Sequence, residues 1–464
     1  MISPAIVFAR AQRERFLAEL RELLAIPSVS TQSQHRADLD RAAEWVAADL
    51  RRIGMEGVTV SAAHGHPIVY GEWLRASGRP TVLCYGHYDV QPPEPFGEWV
   101  TPPFAPAVRD GRIYARGATD DKGQFHTHLK AVEALMAAGA GALPVNVRFI
   151  VEGEEEIAGP SVAAFLQQSA ERLRSDCALI SDSTLFVPGL PTLCIGLRGA
   201  VSTEIEVRGA RTDLHSGVYG GVAPNPLVAL AGILSRLKDA EGRISIPGFY
   251  ERVPPTDPAE LRSWQGLPFD PAKFRDEEMG ARDFAGEAGY GVLERMWARP
   301  TLDVHGIVGG YAGEGSKMVI PARATAKVSM RLVPDQHPDE IFQLYSGFVG
   351  RIAPAAVEVE VRRLSQAEPV VLPRDNRFVQ AAQRALRRVF EREPVLIRSG
   401  GSIPVVSEFA RGLGIPSVLM GFGLPDSAIH APNENLLLAN YYHGIESVIL
   451  FLEEVGGLPG SGAT

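Results

Sequence analysis

Residues Val145–Pro160, VNVRFIVEGEEEIAGP, contain the pattern from which we infer the fold. A β-branched apolar run ends in three consecutive carboxylates, Glu154, Glu155 and Glu156, and Gly159-Pro160 closes the segment before a helical pattern begins. In open α/β sheets, ligands bind beyond the carboxyl ends of the strands, so acids at this position could hold a metal ion. The alternative is a solvated acidic loop, because runs of charge usually face water.

Two further polar segments lie upstream of this stretch, one after a predicted strand and one in a turn that leads into a predicted helix. The β-prone run Thr81–Tyr85 leads into GHYDVQP, so His87 lies at a strand end, and Asp89 two residues later can hold its imidazole. Asp120 and Asp121 come directly before a helix predicted over Lys122–Ala138. On their own, the histidine could be structural and the aspartates could be helix caps.

The same alternation continues downstream. A helix is predicted from Ser161 to about Leu173, and the apolar run CALISD then ends on Asp182. A strand at Ser417–Met420 precedes GFGLPDSAIHAPNEN, which contains His430. Helices that alternate with strands predict an α/β fold, in which a mostly parallel sheet carries helices on both faces.

A second domain is indicated by a change of pattern near Leu193. Residues 202–207 and 324–332 alternate apolar with polar side chains, as in a sheet with one solvated face. Between them lie a helix from about Pro226 to Lys238 and a Pro-rich insertion of low regularity, Ile246–Pro300. We therefore predict that a smaller α+β domain, residues 199–385, interrupts a domain formed by residues 1–198 and 386–464. The first predicted helix covers residues 10–25.

Composition narrows the function classes. The chain has 464 residues, 45% of them apolar, and a net charge of -9, which argues against a nucleic-acid partner. The cysteines Cys84, Cys177 and Cys194 form no CxxC pair, so neither a disulfide framework nor a thiolate metal site is expected. A signal peptide and a membrane-spanning stretch are not recognisable. These features predict a cytoplasmic protein without a membrane partner.

The candidate site consists of histidines and carboxylates that follow predicted strands or strand-to-helix turns: His87, Asp120, Glu155, Glu156, Asp182 and His430. Two imidazoles with several carboxylates suit zinc, with manganese or cobalt as substitutes, whereas calcium prefers an all-oxygen cage. A single tetrahedral zinc cannot use all of these groups. Two ions about 3.5 to 4 Å apart could use them, and such sites favour hydrolysis. One carboxylate must then stay free as a general base.

Eight motifs carry a resemblance to a known family: GHYDVQP, RGATDDKG, EGEEEIAG, ISDS, DLHSGVYGG, KMVIPARATAKVSMRLVP, SGGSIPV and HAPNEN. In this order they resemble the dinuclear zinc hydrolases that include carnosinase-type dipeptidases, carboxypeptidase G, acetylornithine deacetylase and succinyl-diaminopimelate desuccinylase. DLHSGVYGG and GGSIPV are most similar to the carnosinase-type branch. The resemblance implies a zinc-peptidase-like catalytic domain, a lid and dimerisation domain, cleavage of dipeptides and a homodimer. N-acyl amino acid deacylation and a non-catalytic metal-binding role are the alternatives.

The resemblance also implies two Zn²⁺ ions per chain and a role for each ligand. His87 and Asp182 are expected to hold one ion and Glu156 and His430 the other. Asp120 is expected to bridge them, with a cis peptide bond to Asp121.

Further roles follow from the same resemblance. Glu155 is expected to be the general base, with Asp89 orienting His87. Glu154 is then expected to be exposed, and a slip of one residue would exchange the glutamate roles. The substrate-binding residues are expected to be His215, which reaches the partner subunit's site, together with Arg331, Ser402 and Gly401. Many relatives have threonine or asparagine where this chain has Met318, so a polar contact across the dimer is expected to be absent.

Overall fold

The computed structural model describes residues 2–157 and 159–460, and the chain divides into two compact units. The first unit comprises Met1–Ile195, Leu372–Ile397 and Glu408–Thr464. The second comprises Gly196–Val371 and Arg398–Ser407. Among the described residues, no helix combines the length and the apolar character needed to cross a lipid bilayer.

The α-helices are α1 (Pro4–Ala11), α2 (Arg13–Leu24), α3 (Arg36–Arg52), α4 (Lys122–Ala138), α5 (Ser161–Ser169), α6 (Ser216–Tyr219), α7 (Pro226–Leu234), α8 (Pro258–Gln265), α9 (Pro271–Lys273), α10 (Val292–Trp297), α11 (Pro338–Ile352), α12 (Arg377–Phe390), α13 (Pro404–Glu408) and α14 (Leu438–Gly456). Short 3-10 or π turns lie at Ser33–His35, Phe96–Glu98, Glu155–Ile157, Phe274–Met279 and Phe409–Leu413.

The strands are β1 (Glu56–Ser61), β2 (Ile68–Trp73), β3 (Thr81–His87), β4 (Ala107–Arg109), β5 (Arg112–Tyr114), β6 (Asn146–Glu152), β7 (Cys177–Ile180), β8 (Thr192–Leu197), β9 (Gly199–Arg208), β10 (Leu214–His215), β11 (Thr301–Gly309), β12 (Val319–Ile320), β13 (Arg323–Leu332), β14 (Glu358–Ala367), β15 (Val370–Val371), β16 (Val395–Ser399), β17 (Ser417–Leu419) and β18 (Asn435–Leu437).

The first unit is built on a sheet with the order β1-β2-β6-β3-β7-β17-β8. Its centre, β6-β3-β7-β17, is parallel, and antiparallel strands flank it on both sides. β3, β6 and β7 are buried along nearly their whole length, which explains their continuous apolar sequences. Because the central strands are parallel, the residues that follow β3, β6 and β7 emerge at the same edge. The predicted α/β class is confirmed.

Helices cover both faces of this sheet. Val82 and Cys84 of β3 belong to the large core that also contains apolar residues of α3, α4, α12 and α14. Tyr85 points to the opposite face, where its ring lies 5.7 Å from that of Phe409. Tyr70 of β2 likewise contacts Phe165 of α5, with ring centroids 6.3 Å apart. Alternate residues of the strands therefore supply two separate apolar layers.

The second unit contains an antiparallel sheet with the order β11-β13-β9-β14. Alternate residues of β13, including Ala326, Val328 and Met330, are buried beneath α7 and α11, as the period-two pattern predicts. Ile205 on β9 and Tyr345 on α11 complete this core. The alternating sequences therefore indicated the correct kind of sheet.

The predicted return to the first unit at residue 386 was placed too late. The structure returns at Leu372, because α12 presents buried residues such as Phe378 and Leu386 to the core of the first unit, where it packs against α14. The structure also groups Arg398–Ser407 with the second unit. Neither boundary is marked by a change in amino-acid composition, so neither could be predicted from the sequence.

Two local predictions were also incomplete. The first helical segment is two helices, α1 and α2, because the backbone of Gln12 between them leaves the helical conformation, with φ -102° and ψ 8°. The insertion Ile246–Pro300 contains α8, α9 and α10, and the rings of Trp264 and Trp297 pack edge-to-face with centroids 5.2 Å apart. This segment is therefore more ordered than its Pro-rich composition indicated.

Candidate metal centre

The carboxyl end of β3 supplies the first histidine of the site. His87 is buried, and its Nδ1 lies 3.1 Å from the carbonyl oxygen of Asp89 and 3.3 Å from the Asp89 carboxylate. Its Nε2 points the other way, 3.1 Å from Oδ1 of Asp120 and 4.0 Å from Oδ2 of Asp182. Asp182 follows β7, the strand that pairs with β3, so strand order explains this juxtaposition.

Asp120 lies just before α4, and its peptide bond to Asp121 is cis, as the family resemblance implied. Its second oxygen, Oδ2, is 2.8 Å from Nε2 of His430, and the same nitrogen is 3.2 Å from Oε2 of Glu156. Two groups of ligand atoms, each within 4.8 Å of one another, therefore share Asp120: His87, Asp120 and Asp182 form one, and Asp120, Glu156 and His430 form the other.

The three glutamates after β6 have different environments. Glu154 was expected to be exposed, but it is buried and its carboxylate accepts hydrogen bonds from the backbone N–H groups of His66, at 2.7 Å, and Ser161, at 3.2 Å. It therefore ties the loop before β2 to the start of α5. The expectation was wrong because these donors come from distant or helix-terminal backbone, which side-chain patterning does not reveal.

Asp89 and Gln91 position the other two glutamates. The carboxylate of Asp89 accepts hydrogen bonds from the backbone N–H groups of Glu155, at 3.3 Å, and Glu156, at 3.2 Å. The amide of Gln91 donates to Oε2 of Glu156 at 2.9 Å. The GHYDVQP motif thus holds the glutamate turn as well as His87, and the contribution of Gln91 was missed.

Glu434 is the most connected residue that the sequence reading missed. This fully buried carboxylate accepts hydrogen bonds from the N–H groups of Gly117, Thr119 and Asp120, at 3.0, 2.9 and 3.0 Å, and from Arg116, at 2.6 Å. It therefore links the turn that carries Asp120 to the segment that carries His430. Its place in the quoted motif HAPNEN was the available signal.

The charges of these groups perturb one another. Burial raises the pKa of Asp182 to about 7, and the nearby Asp120 adds to the effect. Contact with Asp120 and then Glu156 raises the pKa of His430 to about 10. Burial also raises the pKa of Glu155 well above its ordinary value, although His87 opposes this shift. Acids crowded in this way are stabilised by a cation placed among them.

The unpaired atoms test whether these residues fit a metal. Among residues 2–157 and 159–460, buried Oε1 of Glu156 has no hydrogen-bond partner, and buried Nε2 of His87 makes no well-directed hydrogen bond although Oδ1 of Asp120 lies 3.1 Å away. A buried polar atom without a hydrogen-bond partner costs free energy, so we expect a structural or functional reason for it. Imidazole nitrogen and carboxylate oxygen are both zinc ligands, and the donor set therefore fits a metal.

The expected carboxylate-binding residues lie together in the second unit. Nη1 of Arg331, on β13, donates to the hydroxyl of Ser402 at 2.9 Å, and that hydroxyl donates to the carbonyl oxygen of Arg198 at 2.5 Å. Gly401 is exposed, and its N–H donates to the hydroxyl of Ser399 at 3.1 Å.

His215 also belongs to the second unit, where it is exposed at the end of β10 and caps α6. Its Nδ1 accepts a hydrogen bond from the N–H of Gly217 at 3.0 Å, so this nitrogen is engaged locally. Met318, beside the paired strand β12, is exposed, and its carbonyl accepts from the N–H of Ser216. The roles expected for these residues stay predictions.

Comparison with known proteins identifies the family. Residues 83–454 match the model of peptidase family M20/M25/M40. The chain belongs to this family. The match includes every ligand candidate, from His87 to His430, and it confirms the resemblance inferred from the motifs.

Two curated relatives of the M20/M25/M40 family are dipeptidases by name. The Cys-Gly metallodipeptidase of Schizosaccharomyces pombe is 31% identical over 465 residues, covering 96% of this chain and 97% of the relative. The human Beta-Ala-His dipeptidase is 30% identical over 463 residues, covering 96% and 91%. Among solved structures, an M20 family metallo-carboxypeptidase from Sulfolobus solfataricus is 31% identical with a TM-score of 0.86, covering 96% of this chain and 99% of that one.

Proposed function

We propose that this protein is a dipeptidase that uses two divalent metal ions, zinc being the ion best suited to the ligands. The observation that carries the proposal is the sharing of Asp120, whose two oxygens lie 3.1 Å from His87 and 2.8 Å from His430. A carboxylate with one oxygen toward each of two ligand groups suits a bridging ligand. The M20/M25/M40 membership and two relatives named as dipeptidases support the substrate class.

In this proposal His87 and Asp182 hold one ion, Glu156 and His430 hold the other, and Asp120 contacts both. The buried, unpaired Oε1 of Glu156 and the buried Nε2 of His87 support these assignments. When bound, two such ions would polarise the carbonyl of the scissile bond and lower the pKa of the attacking water molecule. The protein contributes the orientation of the ligands through Asp89, Gln91 and Glu434.

Glu155 is proposed to move the proton. It interacts electrostatically with His87, Asp182, Glu156 and Asp120, so its carboxylate belongs to the same charge cluster. Burial raises its pKa, which makes it a better proton acceptor than an ordinary glutamate. It accepts a proton from the attacking water and returns it to the departing amine. Glu154 cannot take this role while its carboxylate binds His66 and Ser161.

The second unit is proposed to recognise the terminal carboxylate of the substrate through Arg331, Ser402 and Gly401. A guanidinium group has five donors, and the bond to Ser402 uses one of those of Arg331. The remaining donors suit a carboxylate. A free carboxylate is common to dipeptides and to carboxypeptidase substrates, so both kinds of substrate belong in the test.

We further propose that the second unit forms the homodimer and that His215 acts in the partner subunit's site. β11 is an edge strand of its sheet, and its side chains from Asp303 onward are exposed, including the apolar Val304, Ile307 and Val308. Exposed apolar edge strands pair readily with another chain. A cytoplasmic location is proposed because Cys84 and Cys177 are buried thiols that form no disulfide, as is usual in reducing compartments.

A substrate panel tests the proposed activity. The metal-stripped protein is reloaded with zinc, manganese or cobalt and assayed on dipeptides, tripeptides, and N-acetyl and N-succinyl amino acids. Dipeptide turnover that a chelator abolishes and a metal restores is expected, together with two ions per chain. Preference for N-acyl amino acids would identify a deacylase instead, and the absence of turnover on every substrate class would reject the enzyme assignment.

Mixed dimers test the role of His215. His215→Ala and Glu155→Gln homodimers are each expected to be nearly inactive. A dimer containing one subunit of each kind has one site with both groups intact, so a statistical mixture should recover up to about a quarter of the wild-type activity if the dimer has two-fold symmetry. No recovery after proven subunit exchange would show that His215 does not act across the dimer.

A further inference from the structure

Arg198 connects β8 to β9 and is hydrogen-bonded mainly to backbone carbonyl groups. Its Nε donates to the carbonyl oxygen of Gly400 at 2.9 Å, and its Nη1 donates to that of Arg299 at 3.2 Å. Its Nη1 also donates at 3.5 Å to the carbonyl oxygen of Arg295 in the last turn of α10, where helix carbonyls lack partners within the helix. Arg198 therefore attaches the Gly400 backbone to the segment that follows this helix.

The backbone carbonyl of Arg198 also accepts a hydrogen bond from the hydroxyl of Ser402. That hydroxyl donates to the carbonyl oxygen of Arg198 and accepts from Nη1 of Arg331, so a continuous chain of hydrogen bonds runs from Arg331 through Ser402 to Arg198. Since the hydroxyl proton is directed at Arg198, the oxygen lone pairs are directed toward Arg331. Ser402 in this arrangement orients the guanidinium of Arg331.

Gly400 is adapted to this contact. A Cβ at this position would lie 2.8 Å from Nη2 of Arg198 and 2.9 Å from the carbonyl oxygen of Met296, so a larger residue would displace the guanidinium group. Burial lowers the pKa of Arg198 to about 10, and the positive charge of Arg331 contributes in the same direction. Two guanidinium groups that repel each other create a region that favours an anion.

We propose that Arg198 is a positioning residue for the terminal carboxylate of the substrate, acting by holding the Gly400–Ser402 segment so that Ser402 orients Arg331. The inference rests on the proposed function, because it presumes that Arg331 binds this carboxylate. Arg198 contributes no group to the reaction itself. Its removal should weaken recognition of a free carboxylate and leave recognition of the rest of the peptide unchanged.

The experiment measures equilibrium binding, so that turnover does not interfere. Glycyl-leucine and glycyl-leucinamide are titrated calorimetrically into the zinc-loaded Glu155→Gln protein, which is the parent, and into the same protein carrying Arg198→Gln, Gly400→Ala or Arg331→Gln. Matched controls are Arg262→Gln, an exposed arginine of α8, and Gly347→Ala, a glycine of α11 where a Cβ meets nothing within 4 Å. Circular dichroism and thermal unfolding verify the fold of each protein.

Arg198→Gln and Gly400→Ala are each expected to weaken binding of glycyl-leucine about tenfold, a typical loss for one hydrogen bond to a charged group. Binding of the amide should change less than twofold, and both controls should bind like the parent. Gly400→Ala keeps the charge of Arg198, so it tests the inference even if Arg198→Gln does not fold.

Three outcomes would overturn the inference, and they have different meanings. Equal weakening of both ligands would assign Arg198 a structural role only. Unchanged binding of glycyl-leucine, with discrimination lost in Arg331→Gln, would reject the role of Arg198 and keep that of Arg331. If the parent itself binds the acid and the amide equally, the carboxylate-recognition part of the proposed function fails together with the inference.

Discussion

Two clusters of carboxylates in the first unit have similar distances between their ligand atoms. They differ in the groups that balance their negative charge. The metal cluster, named for its proposed occupant, consists of His87, Asp120, Glu156, Asp182 and His430. The lysine cluster consists of Glu19, Asp49, Glu133 and Lys130. In both, carboxylate oxygens approach within 4.8 Å of neighbouring ligand atoms. Proximity of acids therefore does not by itself distinguish a metal site.

The lysine cluster is neutralised by the protein itself. Nζ of Lys130 lies 2.6 Å from Glu19, 3.0 Å from Asp49 and 3.2 Å from Glu133. Arg52 and Arg15 each contact Glu133 as well, at 2.7 and 2.6 Å. The metal cluster contains imidazoles in place of ammonium and guanidinium groups, together with an unpaired buried oxygen of Glu156. The lysine cluster is thus balanced by ammonium and guanidinium groups, whereas the metal cluster has only imidazoles, which are cations when protonated and metal ligands when neutral.

The largest expected effect is on turnover within the metal cluster. Glu155→Gln removes a proton acceptor without removing a proposed ligand, so kcat should fall by about 10² to 10⁴ while two ions remain bound. Kinetics and elemental analysis measure the two quantities. Glu154→Gln is the matched control from the same run and should keep kcat within a few fold. Loss of metal from Glu155→Gln would instead indicate that Glu155 is a ligand, so that the roles of base and ligand within the glutamate run would have to be reassigned.

Removing the ammonium group of Lys130 should destabilise the protein and make its stability depend on an added cation. Lys130→Met leaves buried carboxylates without their central partner, and breaking such a network typically costs about 3 to 5 kcal/mol. Calcium, which prefers oxygen ligands, should raise the thermal midpoint of the variant more than that of the wild type. Thermal unfolding with and without calcium measures both effects. A variant as stable as the wild type would mean that the network contributes nothing.

The lysine cluster should also contribute less to the free energy of unfolding at acid pH. Burial opposes ionisation of Glu133, but Arg52, Lys130 and Arg15 lower its pKa from 4.5 to about 2. Since the folded-state pKa is the lower one, this stabilisation is complete above about pH 4.5 and is lost as the pH falls toward 2. It amounts to roughly 3 kcal/mol at neutral pH. The difference in thermal midpoint between wild type and Glu133→Gln should therefore shrink over this interval, whereas a pH-independent difference would contradict the assignment.

The smallest expected effect concerns the carboxylate that supports the metal cluster. Glu434→Gln keeps an acceptor but loses the charge that binds three N–H groups and Arg116, so the turn carrying Asp120 is held less firmly. Substitution of residues that orient ligands typically costs about 10- to 100-fold in metal affinity. Competition with a chromophoric chelator measures this loss. Unchanged affinity with reduced stability would show that Glu434 only supports the fold.

The sequence contained more information about the metal cluster than about the lysine cluster. His87, Glu156 and Asp182 follow strands of one parallel sheet, and the edge at which they meet can be inferred from the strand pattern. Glu19, Asp49 and Lys130 lie on three helices whose packing angles leave no periodic trace in the chain. Their charges look like ordinary solvated helix faces until the helices are in place.

Hydrogen bonds between carboxylates and backbone N–H groups also could not be predicted from the sequence. Glu154 and Glu434 both looked like residues at the edge of a motif, yet each binds backbone N–H groups supplied by a distant segment. Such donors have no side-chain signature, so these hydrogen bonds could not be predicted, even though Glu434 lies in a motif that drew attention. The same limit applies to Leu372, where the chain returns to the first unit without a change in composition.

The interruption of the first unit by the second determines when the metal cluster can form during synthesis. The ribosome makes His87, Asp120, Glu156 and Asp182 before it begins the second unit at Gly196, whereas His430 follows Glu408, where the first unit resumes for the last time. Domains generally fold as units as the chain emerges. A nascent chain that holds only the first segment therefore lacks one proposed ligand and the carboxylate of Glu434, so the proposed ligand set cannot assemble until the second unit has been translated.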